Sequence, residues 1–158
     1  MSTFSRRIVM VGALGLSFGA TSVHVASAQV QSKSPVNIDA AGVAIKGYDP
    51  IAYFTVGAPT QGVAQFAAVH EGATFHFATA ENKALFDKEP ARYAPQYGGY
   101  CAFAAAKGSK AEIDPTQWKV VEGKLYLNYN AAVSKTWSSD IPGFIKTADA
   151  NWPTLKSK

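Results

Sequence analysis

Gln65-Phe66-Ala67-Ala68-Val69-His70-Glu71-Gly72-Ala73-Thr74-Phe75-His76-Phe77 reads as two short strands folded back on each other at Glu71-Gly72. A strand alternates its side chains, so this register puts Phe66, Ala68, Phe75 and Phe77 on one face. Gln65, Ala67, Val69, Thr74 and His76 take the other. The phenylalanine face is the expected core, and His76 points away from it. Trp118 to Tyr129 follows the same plan around Glu122-Gly123. There Trp118, Val120, Leu125 and Leu127 share one face, and Lys119, Val121, Lys124 and Tyr126 the opposite one. The two turns resemble each other, but the likeness is too short to establish a repeat.

Helical signals surround the hairpins. Asp49 caps a short turn with Pro50 at its first helical position, and Ile51, Ala52, Tyr53 and Phe54 follow. Gly57 to Gly62, with Pro59, is a loop. Thr79 caps a helix over Ala80 to Lys88, with Ala84, Leu85 and Phe86 as its apolar stripe. Pro90 stops it, and a short turn carries Tyr93. Asn130 caps Ala131 to Trp137, and a last helix covers Ile141 to Ala150, ending before Trp152-Pro153. Hairpins interspersed with short helices, without a regular βαβ order, predict a small single α+β domain.

The N-terminal text has a different composition. Arg6 and Arg7 precede an apolar, small-residue run from Ile8 to Ala20, and Ala26-Ser27-Ala28 forms a cleavage site before Gln29. Residues 1–28 are therefore expected to be a cleaved signal peptide, 29–35 a flexible leader and 36–155 the folded domain. Ser5-Arg6-Arg7 is compatible with a twin-arginine signal as well as with the general secretory route. This places the mature protein in the periplasm or outside the cell, with no membrane insertion after cleavage. Removing the two arginines lowers the formal charge from +4 to +2. The lysines stand singly, so nucleic acid and anionic membranes are not expected partners.

Cys101 is the only cysteine, in Tyr97-Gly98-Gly99-Tyr100-Cys101-Ala102-Phe103. An oxidising compartment normally pairs thiols, and one thiol cannot staple its own fold. It is a buried small side chain, a ligand for a soft metal, or a reactive group. Gly98-Gly99 allows a close backbone approach there.

Gly47-Tyr48-Asp49-Pro50-Ile51-Ala52-Tyr53-Phe54, Phe75-His76-Phe77-Ala78-Thr79, Phe86 to Tyr93, the Cys101 stretch and Leu125-Tyr126-Leu127-Asn128-Tyr129-Asn130 occur in order. Together they resemble the exported bacterial branch of the YHS-domain family over nearly all of Val36 to Leu155. The resemblance implies a YHS-like fold and heavy-metal handling, copper above all. Metal-binding members resemble Asp-Pro-x-Cys followed by Phe-Cys-Ser-x-x-Cys, a thiolate set suited to a soft ion. This chain offers Ala52, Ala78 and Glu81 or Asn82 at those places.

A replacement set is Cys101 with His76 or His70, which together favour copper or zinc. Two such ligands need a third, from Asp49, a tyrosine or a second subunit. The metal reading therefore rests on Cys101, His76 and Asp49, with a transition-metal ion or a periplasmic protein as partner. The alternative is a metal-free module of the envelope that binds a ligand or a protein. A Cys101–His76 pair oriented by Asp114 or Asp49 is the enzyme reading. No hydrolase signature or resolving cysteine accompanies it, so catalysis is not the expectation.

Overall fold

The computed structural model describes residues 34–158. The expected signal peptide, residues 1–28, and residues 29–33 of the expected leader lie outside the described residues. Strands β1 (Val63–His70) and β2 (Ala73–Phe77) form one antiparallel hairpin, and β3 (Asp114–Val121) and β4 (Lys124–Asn128) form the other. Glu71 and Gly72 both take positive φ, 48° and 77°, and so do Glu122 and Gly123, 50° and 73°. Two left-handed residues in a two-residue turn match the twist of the flanking strands. Ala68 pairs with Phe75 and Trp118 with Leu127, so both sets of faces lie as the alternation predicts.

Helices fill the intervals: α1 (Ala52–Thr55), α2 (Ala80–Lys88), α3 (Pro90–Tyr93), α4 (Ala102–Ala106), α5 (Ala131–Trp137) and α6 (Ile141–Lys156). The α2 and α5 caps work as read: Thr79 Oγ1 accepts from the Asn82 N–H at 3.1 Å, and Asn130 Oδ1 from the Val133 N–H at 2.9 Å. The architecture is α+β.

The two halves of the chain are built alike. Val63–His70 and Ala73–Phe77 recur 51 residues later as Asp114–Val121 and Lys124–Asn128, and the cap Thr79 recurs as Asn130. Both hairpins break register at the same place, between Val63 and Ala67 and between Asp114 and Trp118. Ahead of each lies a tight turn of three consecutive left-handed residues. In the first half these are Ile45, Lys46 and Gly47 at 43°, 57° and 77°; in the second, Tyr97, Gly98 and Gly99 at 55°, 61° and 78°. Such a run is rare for side-chain-bearing residues, so its recurrence marks an internal structural duplication. Sequence hides it: outside Gly-Tyr before Asp49 and Cys101, and Glu-Gly at the turns, few identities survive.

Two apolar clusters hold the halves. The first gathers Ile45, Ile51, Phe75, Phe77, Phe86, Leu125 and Leu127 around the hairpin faces. The second packs Ala102, Ala105, Tyr126, Trp137, Ala148 and Leu155 between β4, α4, α5 and α6. Strand β4 is thus buried on both faces.

Three expectations need correction. Of the α2 stripe only Phe86 is buried, while Ala84 and Leu85 are exposed; a hairpin this narrow covers a single turn of helix. Helix α6 does not stop before Trp152-Pro153 but runs to Lys156. Proline inside a helix costs about 3 kcal/mol, and burial of Leu155 with docking of Trp152 offsets it. Ser34, read as part of the flexible leader, is tied to the domain: its O accepts from the Tyr100 hydroxyl at 2.9 Å and from Lys110 Nζ at 3.0 Å.

Candidate functional site

Asp49 is wholly buried, and both its oxygens are taken. Oδ1 accepts from the N–H of Ile51 at 2.8 Å and of Ala52 at 3.3 Å, which caps α1. Oδ2 accepts from the Ala78 N–H at 2.8 Å and from Asn82 Nδ2 at 2.7 Å. Ala52, Ala78 and Asn82, the last one of two residues (with Glu81) compared with the third thiolate in the expected resemblance, surround one carboxylate.

Cys101 is the counterpart of Asp49 in the second half. Its sulfur lies at the start of α4 near the Ala104 N–H but forms no cap bond there, since the Phe103 N–H donates to Asn128 Oδ1 at 3.2 Å. The Tyr129 N–H also points at it, in the place of Ala78. The Asn128 Oδ1, 3.6 Å from Sγ, is its side-chain polar neighbour. The thiol is 1% exposed, and burial raises its pKa against the lowering effect of these N–H groups.

His76 lies half-buried on β2, paired with Ala67 and flanked by the backbone of Gly62 and Gly47. Among the described residues, no imidazole contributes to the environment of the Cys101 thiol. His70 is half-buried beside its turn. Its ring stands edge-on to Phe86 at 5.9 Å and it lines a cleft. Asp114, a candidate orienter, has its Oδ1 committed to the N–H and hydroxyl of Thr116.

These donors do not fit a shared ion. The lone pairs of Asp49 are used by four donors, and the thiol is buried with the Asn128 amide oxygen as its polar neighbour. No group of three or more His, Cys, Asp or Glu side chains among the described residues is arranged to hold a metal. The Cys–His pairing required for nucleophilic catalysis finds no support in the surroundings of the thiol either.

A concavity lies elsewhere among the described residues. A cleft of about 470 Å³ opens where the two hairpin turns meet the start of the second half and α6. His70 and Glu71 come from the first turn, Lys124 from the second, Gln96, Tyr97 and Gly98 from the left-handed turn, and Asp149 and Trp152 from α6. This volume lies within the range of small-molecule sites. Tyr97 donates its hydroxyl to Asp149 Oδ1 at 2.9 Å, and its ring meets Trp152 at 5.9 Å and 65°. Burial, and next the bond to Asp149, hold the Tyr97 phenol well above its ordinary pKa. Glu71 is bridged to Lys156 at 2.8 Å, which ties α6 to the first turn. Sequence reading singled out Tyr97-Gly98 but missed Trp152 and Asp149. They lie three residues apart on a helix that was expected to end between them.

No family model, curated protein or solved structure matches this chain. Among the described residues, no helix is long and apolar enough to cross a membrane.

The buried acids set an alkaline limit. Tyr53, Tyr97, Tyr126 and Cys101 all have raised pKa values, with burial as the first cause. In the unfolded chain they release protons near pH 9 for the thiol and 10 for the phenols, whereas the native state keeps them. The unfolded state then binds fewer protons, so stability falls as pH rises through that range. The slope is about 1.4 kcal/mol per pH unit for each group. Guanidinium unfolding between pH 8 and 11 should show this decline, shallower in Tyr97→Phe; flat stability to pH 11 contradicts the burial assignments.

Proposed function

We propose that this is an exported, YHS-like binding module of the cell envelope. Its working surface is the cleft between its two halves, and the metal-ligating positions of that family have become framework. The observation that carries the reading is the division of labour among the polar groups. Asp49 and Cys101 spend their bonding capacity inside the fold, while Asp149, Lys124, Gln96 and the Trp152 ring meet in a concavity of ligand size. The convergence of Ala52, Ala78 and Asn82 on one point supports the YHS likeness.

Fragment screening by saturation-transfer NMR tests the cleft. Binders should shift the amides of Tyr97, Gly98 and Trp152, and Ala91→Trp, at the exposed rim, should abolish them. As a surface change it should alter stability by no more than about 0.5 kcal/mol. Binders scattered over the surface and indifferent to Ala91→Trp overturn the reading. The ancestry is tested separately by combining Ala52→Cys, Ala78→Cys and Asn82→Cys. The variant should acquire thiolate-to-metal absorption with Co(II), and its failure to do so, once folded, counts against the likeness. Export predicts an envelope protein whose intact mass begins at Gln29.

A further inference from the structure

The cleft has an electrostatic bias that its formal charges conceal. Its lining includes two carboxylates, Glu71 and Asp149, one ammonium, Lys124, and one imidazole, His70. Counting charges suggests near-neutrality. Rigidity changes the balance. Asp149 is held by the Tyr97 hydroxyl at 2.9 Å, and no ion pair among the described residues engages it. Tyr97 is itself anchored on Tyr126 at 5.9 Å and on Trp152. The aromatic rings carry negative faces, so they favour cations and disfavour anions. Lys124, by contrast, is exposed at the first position of β4, on a flexible stem that keeps its ammonium in water. The fixed features of the cleft are therefore electron-rich, and its mobile feature is the positive one. Preorganised groups contribute most to affinity, because they lose little freedom when a ligand arrives.

We infer that the cleft takes an organic ammonium ion, its charge set beside Asp149 and its alkyl groups against Trp152. This rests on the cleft being the working surface and adds the class of ligand. The Tyr97 phenol keeps its proton throughout the physiological range, so it continues to orient the carboxylate and adds no competing charge. Glu71, bridged to Lys156, supplies the second wall and is already neutralised. That leaves Asp149 as the lining carboxylate outside any ion pair among the described residues, which suits a monovalent cation.

The test uses choline and its neutral isostere 3,3-dimethyl-1-butanol, with acetate and inorganic phosphate as anions, each titrated into the purified protein. The Trp152 indole and Gln96 side-chain resonances report on the cleft. Choline should move them at concentrations about tenfold below those needed for the isostere, a ratio typical of a cation at an aromatic carboxylate site. Asp149→Asn keeps an oxygen for Tyr97 to donate to and should weaken choline by about tenfold or more. Lys124→Gln should leave choline binding unchanged or tighten it. Equal binding of the isostere, tighter binding of either anion, or an unaffected Asp149→Asn overturns the ligand class while leaving the cleft reading intact. Silence of both resonances toward every probe, together with fragment binders elsewhere, removes the cleft reading itself.

Discussion

Replacing Asp49 by alanine is expected to cost about 4 kcal/mol, a large share of the stability of a domain this size. Four donors lose their acceptor at once: the N–H groups of Ile51, Ala52 and Ala78, and the amide of Asn82. The Ile51 and Ala52 bonds are buried, and those from the half-buried Ala78 and Asn82 meet the same wholly buried carboxylate. A buried donor without a partner costs about 1–3 kcal/mol, and the four losses overlap rather than add. Asp49→Asn is the informative companion. It preserves one acceptor oxygen but turns an NH₂ group toward donors, so it should cost about half as much. Asn82→Ala, which removes a single donor, should be milder still. Urea unfolding of the three variants should rank them in that order. A loss below about 1 kcal/mol in Asp49→Ala would show that the carboxylate is no keystone.

Gly98→Ala should be nearly as damaging, for a steric reason. The backbone at Gly98 has φ of 61°, and an added Cβ would lie 2.0 Å from the Pro35 carbonyl oxygen. That oxygen belongs to the main chain and has no rotamer by which to escape. The Ser34–Val36 segment would be pushed off the left-handed turn. It would then release the bond from the Asn37 N–H to Gly98 O, at 2.8 Å, and the Tyr100 contact to Ser34. The expected loss is about 3 kcal/mol, of which left-handed strain supplies about 1. Gly123→Ala separates the two terms. It has φ of 73° but nothing within 4 Å of the new methyl group, so it should cost only the strain. Equal stabilities for the two variants would show that the close approach to Pro35 is without consequence.

Legibility in the sequence followed the range of the forces involved. Both hairpins and three helix caps could be read because their signals are local: a Glu-Gly turn between alternating residues, and Asp49, Thr79 or Asn130 ahead of a helix. Helix α4 was not read. Its run of alanines has no amphipathic stripe, because neighbours cover it on nearly all sides. The end of α6 was misplaced because Pro153 is a local stop signal, overridden by the distant packing of Trp152 and Leu155. The duplication stayed hidden for a related reason. Backbone geometry recurs through Ile45-Lys46-Gly47 and Tyr97-Gly98-Gly99, whereas only one of the three residue types does.

The candidate site was harder still. Cys101, His76 and Asp49 drew attention through their chemistry, and chemistry alone does not say what surrounds a group. Asp49 was recognised as a cap, which proved to be half of its role. Cys101 occupies the corresponding position, without a cap bond of its own, a relation visible only once the halves are compared. The cleft assembles residues from both turns, the left-handed turn and α6, so no window of sequence contains it. Its one foreshadowing was Tyr97-Gly98-Gly99.

The account turns on the chain's thiol, imidazoles and buried carboxylate serving the framework and not a metal. Titration of the purified protein with Cu(I) against a competing chelator tests this most directly. The wild type should hold copper no more tightly than Cys101→Ser. Stoichiometric binding in the wild type that disappears in Cys101→Ser would contradict the account.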